Sequence, residues 1–168
     1  MRYEIRQATR ADSPAIYRLV RELAVFEELE HKVKASEQDI AEMGFGERPY
    51  FHCLLAEEVA ESGERQALGF ALYFHNFSTF EGRPGIYLED LFVSPSARGA
   101  GLGRALLARL ARICQEQDFR RLDLSVLHWN PARQFYERIG MSHQAEWLGY
   151  RLEGDELERL AGEAETAR

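Results

Sequence analysis

At 168 residues, 45% hydrophobic and 29% charged, the chain is long enough to fill one core and too apolar to belong with disordered chains. Its formal net charge of −7 argues against nucleic acid, whose phosphates select a basic face, and suits a small cationic partner. Two cysteines make no disulfide framework, and no membrane-spanning run, signal peptide or lipidation motif is visible; the expectation is a cytoplasmic protein with no membrane partner.

In chain order, Tyr3 to Gln7 reads as a short strand. Ser13 followed by Pro14 reads as a cap and first-position pair opening a helix, with Ile16, Leu19, Val20 and Leu23 as its apolar stripe. That helix runs out into Phe26-Glu27-Glu28-Leu29-Glu30, where clustered acids by themselves read as a solvated charge run. Ser36-Glu37-Gln38-Asp39 has the form of a capping box for a second short helix ending near Gly44. Strands are expected over Tyr50 to Glu57 and Ala67 to Phe77, joined by the polar stretch Glu58 to Gln66 as a hairpin connection.

The stretch Ile86 to Leu110 organises the rest. Ile86 to Val93 is a strand carrying two carboxylates, Glu89 and Asp90, and Ser94-Pro95-Ser96 breaks it. Arg98-Gly99-Ala100-Gly101-Leu102-Gly103 then leads into a helix whose Leu102, Leu106, Leu110 and Ile113 share one face. Arg121 to Leu127 alternates as a half-buried strand. Asn130-Pro131 opens a helix through Phe135, Tyr136 and Ile139 that stops at Gly140. Trp147, Tyr150 and Leu152 predict a strand, and a charged helix follows from Asp155. With no repeat and no linker, residues 1–168 read as a single mixed α/β domain.

A glycine-rich turn entering a helix N-terminus leaves amide N–H groups without intrahelical partners, and its glycines let a phosphate or pyrophosphate approach them closely. The spacing here, G-x-G-x-G in mid-chain, does not fit the dinucleotide fingerprint G-x-G-x-x-G. Arg104-Ala105 stands where a P-loop requires Lys-Ser/Thr.

The run 98 to 103 resembles the R/Q-x-x-G-x-G/A motif of the GNAT superfamily of acetyl-CoA-dependent N-acetyltransferases. Glu22 to Glu27, Gly44-Phe45-Gly46, Tyr50 to Leu54, Tyr87-Leu88-Glu89-Asp90 and Trp129-Asn130 are similar to the spermidine/spermine acetyltransferases and their thialysine-acetylating relatives. This resemblance covers most of residues 3 to 152 in order. It implies a GNAT-like mixed, mostly antiparallel central sheet flanked by helices, and acetyl-CoA as co-substrate. It assigns Leu91, Phe92, Val93, Arg98, Gly99, Ala100, Gly101, Leu102, Gly103, Asn130, Arg133 and Tyr136 to coenzyme binding, and Phe26, Glu27, Glu89 and Asp90 to a small cationic amine substrate. The relatives are typically homodimers, so a homodimer is implied as well.

Acetyl transfer to an ammonium group needs a base for the amine and an acid for the departing thiolate. Glu89, a carboxylate in an otherwise apolar strand, is the candidate base, directly or through a water. Strand alternation turns Glu89 and Asp90 to opposite faces unless a bulge intervenes, and Asp90 on its own reads as a structural hydrogen-bonding group. Tyr136 by periodicity alone is an ordinary helix aromatic; the resemblance makes it the acid. Asn130 reads as an N-cap, to which the resemblance adds a coenzyme contact. Neither Cys53 nor Cys114 has an activating neighbour in sequence, and the five histidines lack metal-ligand spacing, so direct transfer without a metal is expected.

Phe26 stands where the spermidine/spermine enzymes carry tyrosine, and Leu148 where the relatives carry glutamate, with Glu146 two residues earlier. Fewer acids weaken recognition of several ammonium groups, and Val126 to Asn130 leans towards the thialysine branch. A lysine-like or diamine acceptor is therefore preferred over two alternatives, a protein or peptide acetyltransferase and a non-catalytic acetyl-CoA-binding module.

Overall fold

The computed structural model describes residues 2–166. Backbone contacts divide the chain into two compact units, Met1–Ser125 and Val126–Arg168.

The first unit contains, in order, β1 (Arg2–Gln7), α1 (Ser13–Phe26), α2 (Glu37–Phe45), β2 (His52–Val59), β3 (Arg65–Ser78), β4 (Arg83–Val93), α3 (Leu102–Glu116) and β5 (Leu122–Leu124). The strands lie in sequence order in one sheet, antiparallel from β1 to β4, with β5 parallel to β4. This is the mixed, mostly antiparallel sheet with flanking helices that the sequence leads one to expect. On one face, Ile16, Leu19 and Leu23 of α1 and Ile40 of α2 pack with Cys53, Leu55, Phe70, Leu72 and Phe92. On the other, α3 buries its stripe of Leu102, Leu106, Leu110 and Ile113. Four of these aliphatic groups on α1 and α3, Ile16, Leu19, Leu106 and Leu110, are fully enclosed, each contributing about 2 kcal/mol of apolar burial.

Local chemistry sets the helix starts. Ser36 Oγ accepts from the Asp39 amide at 3.2 Å, while Asp39 Oδ2 accepts from the Ser36 amide at 2.7 Å, so the expected capping box forms. The start of α1 lies one residue earlier than expected. Asp12 is its N-cap and Ser13 is already helical, donating its hydroxyl to Arg10 O at 2.7 Å. Asp12 is committed elsewhere: both its oxygens accept from Arg6, at 2.8 and 2.7 Å. Arg6 also donates to Glu57, at 2.9 and 2.6 Å, and Arg65 reaches the same carboxylate at 3.0 Å. Glu57 is 3% exposed, so this clamp is what makes its charge tolerable inside the sheet.

The strand expected over Arg121 to Leu127 is reduced to Leu122–Leu124, paired with Ile86, Tyr87 and Leu88. The irregularity at Glu89, described below, is where the β4 ladder with β5 ends.

The second unit contains α4 (Ala132–Arg138) and α5 (Asp155–Thr166). Asn130 is buried and its Oδ1 accepts from the Ala132 amide at 2.9 Å, but the N-cap of α4 is Pro131, one residue later than the Asn130 expected, so this bond closes the turn ahead of the helix. The strand expected around Trp147, Tyr150 and Leu152 does not form among the described residues; Trp147 amide closes a turn onto Gln144 O, and Trp147 and Tyr150 are exposed. Alternating apolar residues make a strand only when a ladder partner takes up their backbone groups, and none does so here.

Candidate active site

The site begins with a β-bulge. Asp90 pairs with Leu72 and Leu88 pairs with the next residue of β3, Tyr73, so Glu89 is an inserted residue with no partner across the ladder. The insertion reverses the phase of β4. Ile86 and Leu88, both fully buried, precede it; after it, Asp90 and Phe92 fall in register with Leu72 and Phe70 on the α1 face. This is the condition under which neighbouring acids on one strand can serve one pocket. Glu89 is exposed, Asp90 and Leu91 are partly buried, and Phe92 is buried.

Beyond Leu88 the ladder to β5 stops, so residues 89–93 keep one backbone edge outside the sheet. The end of α1 lies on the same side as Asp90. Phe26 and Phe92 rings sit 6.5 Å apart, and the Arg98 guanidinium lies 4.7 Å from the Phe26 ring centre and 5.8 Å from that of Phe92. Arg98 Nε also donates to Val93 O at 3.2 Å. Glu27, the next residue, is partly buried, and burial raises its carboxyl above the usual range. Asp90 is pushed up to about 7, first by burial and then by the nearby charges of Glu89 and Glu27. Glu27 and Glu89, from two elements, therefore both act on Asp90, an arrangement that favours a nearby cation.

The turn after β4 is built as an anion cradle. Ser94 is buried, its amide bonds to Leu68 O at 2.7 Å and its hydroxyl donates to Glu22 Oε2 at 2.6 Å, which pins the start of the turn to α1. Glu22 is in turn paired with Arg18, which donates to Ala67 O at 2.6 Å. Gly99 and Gly101 have φ of +85° and +80°, the left-handed region that disfavours a side chain, and open space lies where a Cβ would stand on either. Among the described residues no acceptor takes the amide hydrogens of residues 99 to 104, whereas Arg98 amide is bonded to Pro95 O at 3.3 Å. Consecutive unpaired amides at the mouth of α3, a helix of 15 residues, fit a diphosphate. Ala100 is exposed, while Leu102 is buried beneath the turn as the first residue of the α3 stripe; Gly103 is partly buried.

In the second unit, Tyr136 and Phe135 lie on α4, both partly buried, with ring centres 5.4 Å apart. Arg133 donates to His128 O at 2.9 Å, bracing the turn that the Asn130 side chain closes. No group of metal-ligating side chains assembles among the described residues. The sequence did not single out two contributors: the Ser94–Glu22 link, and the pairing of Asp90 with a phase reversal. Neither leaves a local signal, since one bond spans 72 positions and the other arises from registry with β3.

A bulged fourth strand that parts from the fifth, followed by an amide-lined turn into a helix, defines an acyltransferase of the GNAT type. The chain belongs to the acetyltransferase (GNAT) family, whose model matches residues 13–141. Among known proteins it is similar to a thialysine N-epsilon-acetyltransferase of Mus musculus, 41% identical over 94% of this chain and 96% of the relative. It is 31% identical to a Homo sapiens spermidine/spermine N(1)-acetyltransferase-like protein over 96% of this chain, which corresponds to 24% of that longer protein. Among solved structures, an integron cassette protein from the mobile metagenome of V. cholerae superposes with a TM-score of 0.78 at 34% identity, covering 96% of this chain and 98% of the other.

Proposed function

We propose that the chain, acting as one domain over residues 1–168, transfers the acetyl group of acetyl-CoA directly to a primary amine of a small cationic acceptor. The acceptor class is thialysine- or lysine-like, or a diamine or polyamine. The observation that carries this is the convergence of Glu27, Glu89 and Asp90 beside the Phe26–Phe92 wall, on the strand that leads into the turn of unpaired amides. Residues 99 to 103 would hold the coenzyme's diphosphate with their amides, and the free edge of Leu91, Phe92 and Val93 offers backbone groups to its amide-bearing arm and to the carbonyl oxygen that gains charge. Asn130, Arg133 and Tyr136 complete the proposed coenzyme set through their likeness to the family.

An ammonium of pKa ~10.4 at pH 7 stands about 4–5 kcal/mol from its free amine. Glu89, exposed at the bulge, acts as general base through a water, and the three carboxylates together select a cation. Tyr136 donates the proton taken by the leaving thiolate. The proposal includes a cytoplasmic homodimer, as in the relatives of the resemblance. Thiol release measured across thialysine, lysine, diamines, polyamines and peptides tests it. The expected result is turnover on the small amines, cut more in kcat than in coenzyme affinity by Glu89→Gln and Tyr136→Phe. Unchanged turnover in both variants removes those assignments, and coenzyme binding without acetylation of any amine removes the enzyme.

A further inference from the structure

The side chain of Arg98 belongs to the acceptor wall rather than to the turn it opens. Its guanidinium carbon lies 4.7 Å from the Phe26 ring centre and 5.8 Å from that of Phe92, and its Nε donates to Val93 O at 3.2 Å. Phe26 has no hydroxyl, so its ring offers the cation a π face and no competing acceptor. These contacts fix the group and use one donor; both Nη groups lack an acceptor among the described residues. Arg6, Arg18 and Arg65, on the same sheet and on α1, are each in an ion pair, whereas Arg98 is in none among the described residues. Acids stand close by without reaching it. Burial alone moves Glu27, and the charges that act on Asp90 are those of Glu89 and Glu27. A cation kept beside acids, paired with none and held by aromatic faces, has its planar fork left for an anion that arrives with a ligand.

The spacing says which anion fits. Asp90 and Phe92 pair with Leu72 and Phe70 on the α1 face, so they stand two residues apart on one side of the strand, about 7 Å along it. An extended lysine-length chain spans that distance. Resting on the acetyl-transfer reading above, we propose that Arg98 is a specificity-determining residue, whose fork takes the carboxylate of an amino-acid acceptor while the amine at the far end of that chain lies at Glu89 and Asp90. The carboxylate receives two parallel N–H···O bonds from Nη1 and Nη2, a geometry that an ammonium cannot use. A diamine of the same length brings a second positive charge to a wall where a guanidinium already covers the aromatic face. The pocket thus selects a lysine- or thialysine-like acceptor by attraction and disfavours diamines and polyamines by repulsion. A diphosphate offers a guanidinium the same oxygen chemistry as a carboxylate. The amides of residues 99 to 103 are placed for that group, and the Arg98 amide is already bonded to Pro95 O.

The test is the ratio of kcat/KM for lysine to that for 1,5-diaminopentane, the same chain without its carboxylate, in the wild type and in Arg98→Met. The ratio cancels any effect of the substitution on coenzyme binding. The wild type is expected to prefer lysine by at least about tenfold, and Arg98→Met to bring the ratio to about one, chiefly through the KM of lysine. A ratio unchanged in Arg98→Met, however far turnover or coenzyme affinity falls, assigns the guanidinium to the diphosphate and overturns the inference. A wild type that favours the diamine overturns it too, and in both cases the acetyl-transfer reading stands. A wild type inactive on every amine overturns that parent reading instead. Lysinamide needs no variant: its KM for the wild type should exceed that of lysine at least about tenfold, and equal values overturn the inference.

Discussion

Replacing Asp90 by asparagine separates a stability effect from a catalytic one. An aspartate with an ordinary value of 3.8 that is held at about 7 in the fold costs about 4 kcal/mol more to ionise there than in the open chain. Between those two values the folded protein keeps a proton that the unfolded chain has lost. Stability therefore declines as pH rises from about 4 to 7 and levels off above. An asparagine keeps the shape and removes the charge, and its own burial costs about 1 kcal/mol. The Asp90→Asn protein should thus equal or fall slightly below the wild type at pH 4 and exceed it by about 3 kcal/mol at pH 8. Urea denaturation of both proteins at the two pH values reads this directly, because titrating groups that do not act on Asp90 cancel in the difference. A variant that is no more stable at pH 8, or a gap that does not change with pH, would refute the claim that burial and the charges of Glu27 and Glu89 strain this group.

Ser94→Ala leaves the Glu22 carboxylate without its buried donor and should cost about 1–2 kcal/mol in denaturation, with a raised KM for coenzyme because the turn loses its anchor. Gly101→Val places a β-branched residue at φ +80°, so coenzyme affinity measured by calorimetry should fall at least about tenfold. Arg6→Met strips Glu57 and Asp12 of their shared cation and should destabilise the fold by about 3 kcal/mol at pH 7. Arg6 first, and then the Thr9 amide and hydroxyl, hold Asp12 down to about 2 from 3.8, so that stability is present above about pH 4 and disappears as pH falls through 2; the variant should keep only the part of this acid dependence that Thr9 supplies.

What the sequence makes legible is what repeats locally. The spacing of Leu102, Leu106, Leu110 and Ile113 names the buried face of α3, and Ser36 with Asp39 names the start of α2, because both depend on residues within a turn or two. The open turn at Gly99 and Gly101 is also visible, since only glycine tolerates its backbone. What escapes is set by distant partners. Asp12 replaces Ser13 as the cap of α1 while Arg6 holds its carboxylate, and β5 stops at Leu124 where the bulge in β4 ends the ladder. Trp147, Tyr150 and Leu152 have strand character without a strand to join among the described residues. Alternation alone sets Glu89 against Asp90; the inserted residue, invisible without β3, is what changes their relation.

Mass spectrometry of the acceptor after incubation with acetyl-CoA tests the central claim most directly. The predicted result is one acetyl group on a primary amine of thialysine, lysine or a diamine, at a rate that collapses when Glu89 is glutamine or Tyr136 is phenylalanine. Acetylation confined to peptides, or small-amine acetylation indifferent to both substitutions, would contradict it.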